Sequence, residues 1–285
     1  MNRQTYFLLP SGEKVGAAGA RMRGPCQRAE QLRSCAQPPS PSSVSSRATF
    51  SKPQPFDAAQ DLADAPRTGG GQKPKDAATL ILTRGGDKPE VLMGRRAPGH
   101  VFMASKWVFP GGRIDRSDFT AASTGELSSD VARRLEVEMP ARRARALALT
   151  AVRETFEETG LILGRPAPPA SVAGPWREYR QTGALPDLSV LSYVARAITP
   201  PGRSRRFDAR FFMAPVEALR DPDRIEGSGE LDEIAWLPLD EAQRLDLPAI
   251  TRFVLGEMAE RLTHPDRPLP FVRMVRGQHV VEHRD

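Results

Sequence analysis

Thiols are missing from the part of this sequence that can fold. Its 285 residues contain two cysteines, Cys26 and Cys35, both within the first 75 residues, so the rest has no thiolate for a zinc site, a disulfide or a nucleophile. Histidine is nearly as scarce. His100, His264, His279 and His283 are scattered, and the one i, i+4 pair, His279 with His283, reads as solvated C-terminal tail rather than a metal site. No apolar run approaches the ~18 residues of a membrane span, so no membrane partner is expected. The body also has no excess of positive charge: residues 1–75 carry 11 Lys and Arg against 5 Asp and Glu, and residues 76–285 carry 30 against 30. A groove for a phosphate backbone leaves a cationic surplus in the folded part, so no nucleic-acid partner is expected either.

Residues 10–75 are rich in Gly, Ser, Pro, Gln and Ala and show no strand or helix period, which predicts a disordered, basic tail over 1–75 and a folded domain over 76–285. The tail's arginines leave three readings open: an organelle transit peptide, a flexible tail, or an over-extended start. The chain is otherwise expected in the cytoplasm, and the sequence is silent on oligomeric state. Short apolar runs at Ala77–Thr83 and Glu90–Arg95, separated by Arg84-Gly-Gly-Asp-Lys-Pro, predict a hairpin. A third short strand, Lys106–Phe109, stops at Pro110-Gly111-Gly112. Ala141–Thr159 reads as a helix, with Leu149, Val152 and Phe156 on one face. A helical patch at Asp130–Glu138, strands at Leu191–Ile198, Arg210–Pro215 and Glu233–Leu237, and a helix at Pro248–Arg261 complete an α/β layered domain.

The long helix breaks local rules in one place. Glu154, Glu157 and Glu158 share the face opposite Leu149 and Val152, with Glu154 and Glu158 as like charges at i, i+4, each such pair costing ~0.2–0.5 kcal/mol. Gly160 reads as the cap just past the helix end, which puts these anions at the negative end of its dipole. Three surface glutamates on an ordinary helix are one reading; the other is a carboxylate site for a hard cation, Mg²⁺ or Mn²⁺. The Gly111-Gly112 turn lets bare backbone approach a ligand or metal. Arg95 and Arg96 at a strand end read as phosphate grips or as a solvated basic pair.

Arg153-Glu154-Thr155-Phe156-Glu157-Glu158-Thr159-Gly160-Leu161 resembles the second half of the Nudix box, and Phe109-Pro110-Gly111-Gly112 resembles its lead-in. The chain departs from that pattern in having Thr155 at a usually apolar position. It also has 40 residues between Gly112 and Arg153, where the family has 13, so the surplus falls around residues 116–143. Counting forward from Gly112 puts Asp118 in the place of the family's first glutamate; that role is either taken by Asp118 or absent. Arg205-Arg206-Phe207-Asp208 ahead of a strand is similar to the branch that includes the peroxisomal coenzyme A diphosphatases. The partial match of Arg95–Gly99 to a coenzyme A motif leaves nucleotide sugars, ADP-ribose and dinucleoside polyphosphates open.

The resemblance implies an α/β/α sandwich with a mixed sheet, and hydrolysis of a small-molecule pyrophosphate, a nucleoside diphosphate linked to another moiety. Mg²⁺ or Mn²⁺ would be held by Glu154, Glu157, Glu158 and the Gly112 backbone, with Gly111 and Gly112 also against substrate. Arg153 would orient a glutamate, Glu157 at i+4. Glu154 would ligate or take the water's proton, and Glu230, in a glycine-rich loop, is the other candidate base. The surplus segment is expected to wall the substrate pocket. A nonenzymatic nucleotide-binding module is the alternative function.

Overall fold

Alternation along Lys75–Arg84 determines the layers. Ala78, Leu80 and Leu82 enter one apolar cluster while Ile81 enters another, and a strand buried on both faces requires cover on both. This is seen in a computed structural model, which describes residues 55–64, 71–99 and 103–284. The two cysteines, His100 and the transit-peptide reading of the tail lie outside the described residues. The elements are α1 (Ala58–Asp64), β1 (Lys75–Arg84), β2 (Glu90–Arg96), β3 (Trp107–Val108), β4 (Gly111–Arg113), α2 (Ser129–Glu136), α3 (Ala141–Thr159), β5 (Gly164–Pro166), α4 (Trp176–Gln181), β6 (Ala184–Pro186), β7 (Ser192–Ile198), β8 (Phe207–Pro215), β9 (Leu231–Pro238), α5 (Leu239–Ala242), α6 (Ala249–Thr263), β10 (Leu269–Val275) and β11 (Gln278–Arg284).

The main sheet runs β11-β10-β7-β8-β1-β2-β3, with β4 on β1 and β9 on β2. It is mixed: β1 with β8 and β10 with β7 are parallel, and the other pairs are antiparallel. Helix α3 covers one face, with Leu147, Ala148, Ala151 and Val152 against Ala78, Leu80 and Leu82. Helices α5 and α6 cover the other, with Leu239, Phe253, Val254 and Met258 against Ile81, Val91 and Met93. This is the expected α/β/α sandwich. One edge of β1 is shared: Thr83 and Arg84 pair with β2, while Ala77–Thr79 pair with β4. That split brings Gly111 and Gly112 beside β1 and under α3. No helix among the described residues is long and apolar enough to cross a membrane.

Three expectations need correction. The tail reading fails at residues 58–64, where α1 is held by partners far away in sequence: Asp61 accepts from Arg203 Nη2 at 2.9 Å and pairs with His279 Nε2 at 3.2 Å, and Asp64 Oδ2 caps the first N–H of α6, from Ala249, at 2.8 Å. A seven-residue helix is too short to show a period, and nothing local announces its partners. His279 and His283 belong to β11, paired along β10, with His279 tilted against Phe56; charged residues on this edge strand hide its alternation.

The third correction concerns residues 116–143. Val131, Leu135 and Met139 enter the core beneath α3, and the buried Glu138 carboxylate meets Arg196, Arg210 and Arg284 at 3.2–3.4 Å. Of this segment only Arg143 lines the large cavity described below. The insertion is scaffold because its one amphipathic helix has an apolar stripe that must be buried.

Candidate active site

Arg153 is the hub. It is 3% exposed, and its Nε and Nη2 fork onto Asp118 Oδ1 and Oδ2 at 2.8 and 3.0 Å. Nη1 donates to Glu157 Oε2 at 2.9 Å and lies 2.9 Å from Glu154 Oε1, while Nη2 also reaches the Arg113 carbonyl at 3.0 Å. Burial alone would lower the guanidinium pKa; its bonds to Asp118 and the charges of Glu154, Asp118 and Glu157 reverse this and raise it. Arg153 therefore stays cationic and fixes two glutamates, Glu157 among them as the i+4 spacing predicts.

Asp118 occupies the open position of the motif. It sits in a 3-10 turn, Arg116–Phe119, closed by a capping box in which Asp115 N donates to Asp118 Oδ2 at 2.8 Å. Thr150 Oγ1 and Trp176 Nε1 complete its bonding, each at 2.8 Å. A carboxylate so fully bonded is a positioning group for Arg153, with no lone pair left for a metal. Trp176 was not identified from sequence, since α4 lies in a stretch with no clear period. Thr155 is also explained: it is buried and returns its hydroxyl to Ala151 O at 2.8 Å, which hides its polarity within the helix.

Glu158 Oε2 accepts from Gly111 N at 3.1 Å. Burial and the nearby Glu230 push its pKa up to about 8, against the opposing pull of Arg96 and the Gly111 N–H. Burial raises Glu154 to about 7, with Arg153 opposing and Glu157 adding to it. Glu157 is also raised by burial, and Arg153 opposes the shift. A β-carbon on Gly112 would lie 2.5 Å from the Glu154 carboxylate, so only glycine lets that group rest against the strand. Among the described residues no three acidic, histidine or cysteine groups are drawn into metal-holding geometry; the glutamates rest on protein donors instead. Their chemistry still fits a hard divalent cation: all donors are oxygens, and the close, buried negative charge raises the cost of keeping them ionised without one.

Glu230 reaches the same place. The loop before β9 is tied to the end of α3 by Glu226 N to Thr159 O at 2.8 Å and Ser228 N to Glu158 O at 3.4 Å, which satisfies carbonyls the helix leaves open. Glu230 Oε1 then pairs with Arg96 Nη1 at 3.4 Å. Arg95 is not brought in. Neighbouring strand residues point to opposite faces, and Arg95 turns outward to Asp232 and Glu233 at 3.1 and 3.2 Å. Its reading as a phosphate grip is corrected to a surface ion pair. Gly111, Gly112, Arg96, Arg153, Glu154, Glu158 and Glu230 line one end of a cavity of about 790 Å³, whereas Glu157 is not among its lining residues.

No family model matches the chain. It is similar to the acyl-coenzyme A diphosphatase NUDT19 of Gallus gallus, 28% identical over 54% of this chain and 55% of that protein. It is also similar to the acyl-coenzyme A diphosphatase NUDT19 of Homo sapiens, 26% identical over 69% of this chain and 75% of that protein. The chain thus spans about half the length of the chicken relative. Among solved structures it resembles a NUDIX hydrolase from Alicyclobacillus acidocaldarius, 28% identical, covering 73% of this chain and 88% of that one with a TM-score of 0.45.

Proposed function

We propose that this chain is a member of the Nudix superfamily that hydrolyses the pyrophosphate bond of a nucleoside diphosphate linked to another moiety, with coenzyme A or its acyl derivatives as the leading substrate class. The observation that carries the reading is the meeting of Glu154, Glu158, Glu230 and Arg96 with the Gly111-Gly112 backbone at one end of a large cavity, with Arg153 clamped behind them by Asp118. The names of the two relatives support the choice of coenzyme A.

A divalent cation, Mg²⁺ or Mn²⁺, bound by Glu154, Glu157, Glu158 and the Gly112 carbonyl, would neutralise pyrophosphate oxygens and acidify a water. The chain's own groups do the rest. Arg153 keeps Glu154 and Glu157 from separating, so two carboxylates keep their places when substrate arrives. The Gly111 N–H holds Glu158. Arg96, beside them, is placed to bond a phosphate oxygen. Glu230, paired with that arginine, takes the proton from water as its oxygen bonds to phosphorus and the bridging oxygen leaves on the other phosphate. The test is a panel of coenzyme A, acyl-coenzyme A, ADP-ribose, nucleotide sugars and dinucleoside polyphosphates, assayed with Mg²⁺ and with chelator. Turnover of the coenzyme A compounds that requires Mg²⁺ is the expected result; no Mg²⁺-dependent turnover of any compound would overturn the assignment.

A further inference from the structure

Of the four residues Arg205-Arg206-Phe207-Asp208, the fold accounts for three. Arg206 donates from Nε to Thr199 O at 3.0 Å and from Nη1 to Gln72 O at 2.6 Å. Asp208 takes Nε and Nη2 of Arg196 at 2.9 and 2.8 Å. Phe207 opens β8, its N–H held by Thr199 Oγ1 at 3.1 Å. Arg205 has no such duty. It is exposed, its side chain bonds to nothing among the described residues, and it lines the cavity.

Two other cations of the cavity share that condition. Arg96, Arg143, Arg153 and Arg203 are paired with Glu230, Asp76, Glu154 and Asp61. The side chains of Lys75 and Arg113, exposed and also lining the cavity, meet no acid among the described residues. Strand register brings the three together. Arg113 on β4 pairs with Ala77 on β1, and Lys75 pairs with Phe207 on β8. Directly paired residues share a face, as do residues two apart on one strand, so Arg113 and Lys75 are diagonal neighbours. The chain two residues ahead of Phe207 carries Arg205 to the same corner. The nearest acids are committed elsewhere: Asp76 and Asp208, one residue off and so on the opposite face, go to Arg143, Arg210 and Arg196, and Asp115 Oδ1 accepts from Ser117 N and Oγ. Like charges on adjacent strands destabilise a sheet, so the fold by itself gains nothing from this grouping.

The corner is separate from the carboxylates. Gly112, which lies against Glu154, pairs with Ala78, and Lys75 precedes Ala78 by three residues, ~10 Å along the strand. That is beyond the reach of the pyrophosphate itself and about one nucleoside away. A phosphate monoester there brings close to two negative charges at neutral pH, with oxygens enough for a lysine and two forked arginines. We propose that Lys75, Arg113 and Arg205 form a second anion subsite, which takes a phosphate monoester on the ribose of the substrate's nucleoside. This rests on the pyrophosphate reading given above and adds a criterion to it: nucleotides with a 2′- or 3′-phosphate are held more tightly than those with a bare ribose. Arg205 is then a specificity-determining residue.

The experiment is calorimetric titration of the full chain, without divalent cation, with adenosine 3′,5′-bisphosphate, adenosine 2′,5′-bisphosphate and AMP. None has a pyrophosphate bond, so turnover does not enter. One bisphosphate or both should bind roughly tenfold or more tightly than AMP, and the isomer that does so identifies the ribose oxygen. Arg205→Ala and Lys75→Ala should each cut that advantage to about threefold or less, with Arg205→Lys keeping part of it. Both side chains are exposed, so the melting temperature should not move. Lys88→Ala removes the same charge from the exposed turn between β1 and β2, outside the cavity, and should leave the advantage intact. Equal binding of the three nucleotides, or no binding of any, would overturn the proposal. An advantage that survives both Arg205→Ala and Lys75→Ala would do the same, as would an equal loss in Lys88→Ala, which would reduce the effect to diffuse charge. The pyrophosphate panel stands or falls separately: its failure beside a measured advantage would leave a nucleotide-binding corner without the catalysis.

Discussion

Asp118 presents two oxygens to five donor atoms, Asp115 N, Thr150 Oγ1, Trp176 Nε1 and Arg153 Nε and Nη2, and everything Arg153 does depends on that hold. Asp118→Ala leaves a buried guanidinium facing two glutamates from one side, which should cost about 3 kcal/mol or more in urea unfolding and lower kcat, since Glu154 and Glu157 lose a fixed partner. Asp118→Glu is the informative companion: partial recovery of kcat would mark a positioning role, and wild-type kcat in Asp118→Ala would exclude one. Gly112→Ala separates site from stability in the opposite sense. The atoms nearest the new β-carbon belong to the Glu154 carboxylate, the far end of a flexible side chain, so the melting temperature should hardly move while Mg²⁺-dependent turnover falls at least tenfold. Glu157→Gln keeps the bond from Arg153 but removes a charge; it should abolish Mg²⁺-dependent turnover in a chain that remains folded, and undiminished turnover would remove Glu157 from the site.

Among the elements, α2 was misjudged in the sequence and is the most exposed to test. With Leu135 fully buried and Val131 nearly so, Leu135→Ala should destabilise by about 3 kcal/mol, read by urea unfolding. Excising residues 119–143 should yield no cooperative unfolding transition at all; a folded, active excision product would restore the insertion to the domain edge. Helix α3 was readable because nineteen residues give its period room to show, and because three glutamates near its C-terminus conflict with local helix electrostatics unless they serve a site. Counting from Gly112 also found Asp118. What could not be read is contact at long range: Trp176 reaches Asp118 across 58 residues from the six-residue helix α4, and neither a period nor a spacing announces it. Strand β10, Leu-Pro-Phe-Val-Arg-Met-Val, was not identified from sequence; its apolar run is interrupted by Pro270, which strands tolerate mainly at edges.

At the scale of the molecule, the start of the described chain and its C-terminal strand close on each other over the far end of the cavity. Asp61 on α1 joins Arg203 and also His279 of β11, Phe56 meets Phe253 of α6 edge-on, and Asp64 caps α6 while pairing with Lys106 at 3.2 Å. A chain beginning at Lys75 loses all of this. Arg203, nearly without exposure, would be left with no carboxylate, and the first turn of α6 would lose its cap, at about 0.5–2 kcal/mol for the cap alone. A chain beginning at Pro55 keeps every one of these contacts. The two truncations should therefore part company: the longer should melt with the full chain and retain its kcat, while the shorter melts several degrees lower. Phe56 and Asp61 line the cavity away from the carboxylates, so the shorter chain should show a raised KM for acyl-coenzyme A substrates with a smaller change for ADP-ribose. Equal melting temperatures for the two truncations would mean that α1 rests on the domain without contributing to it, and an equal rise in KM for both substrates would place its effect at the pyrophosphate end instead.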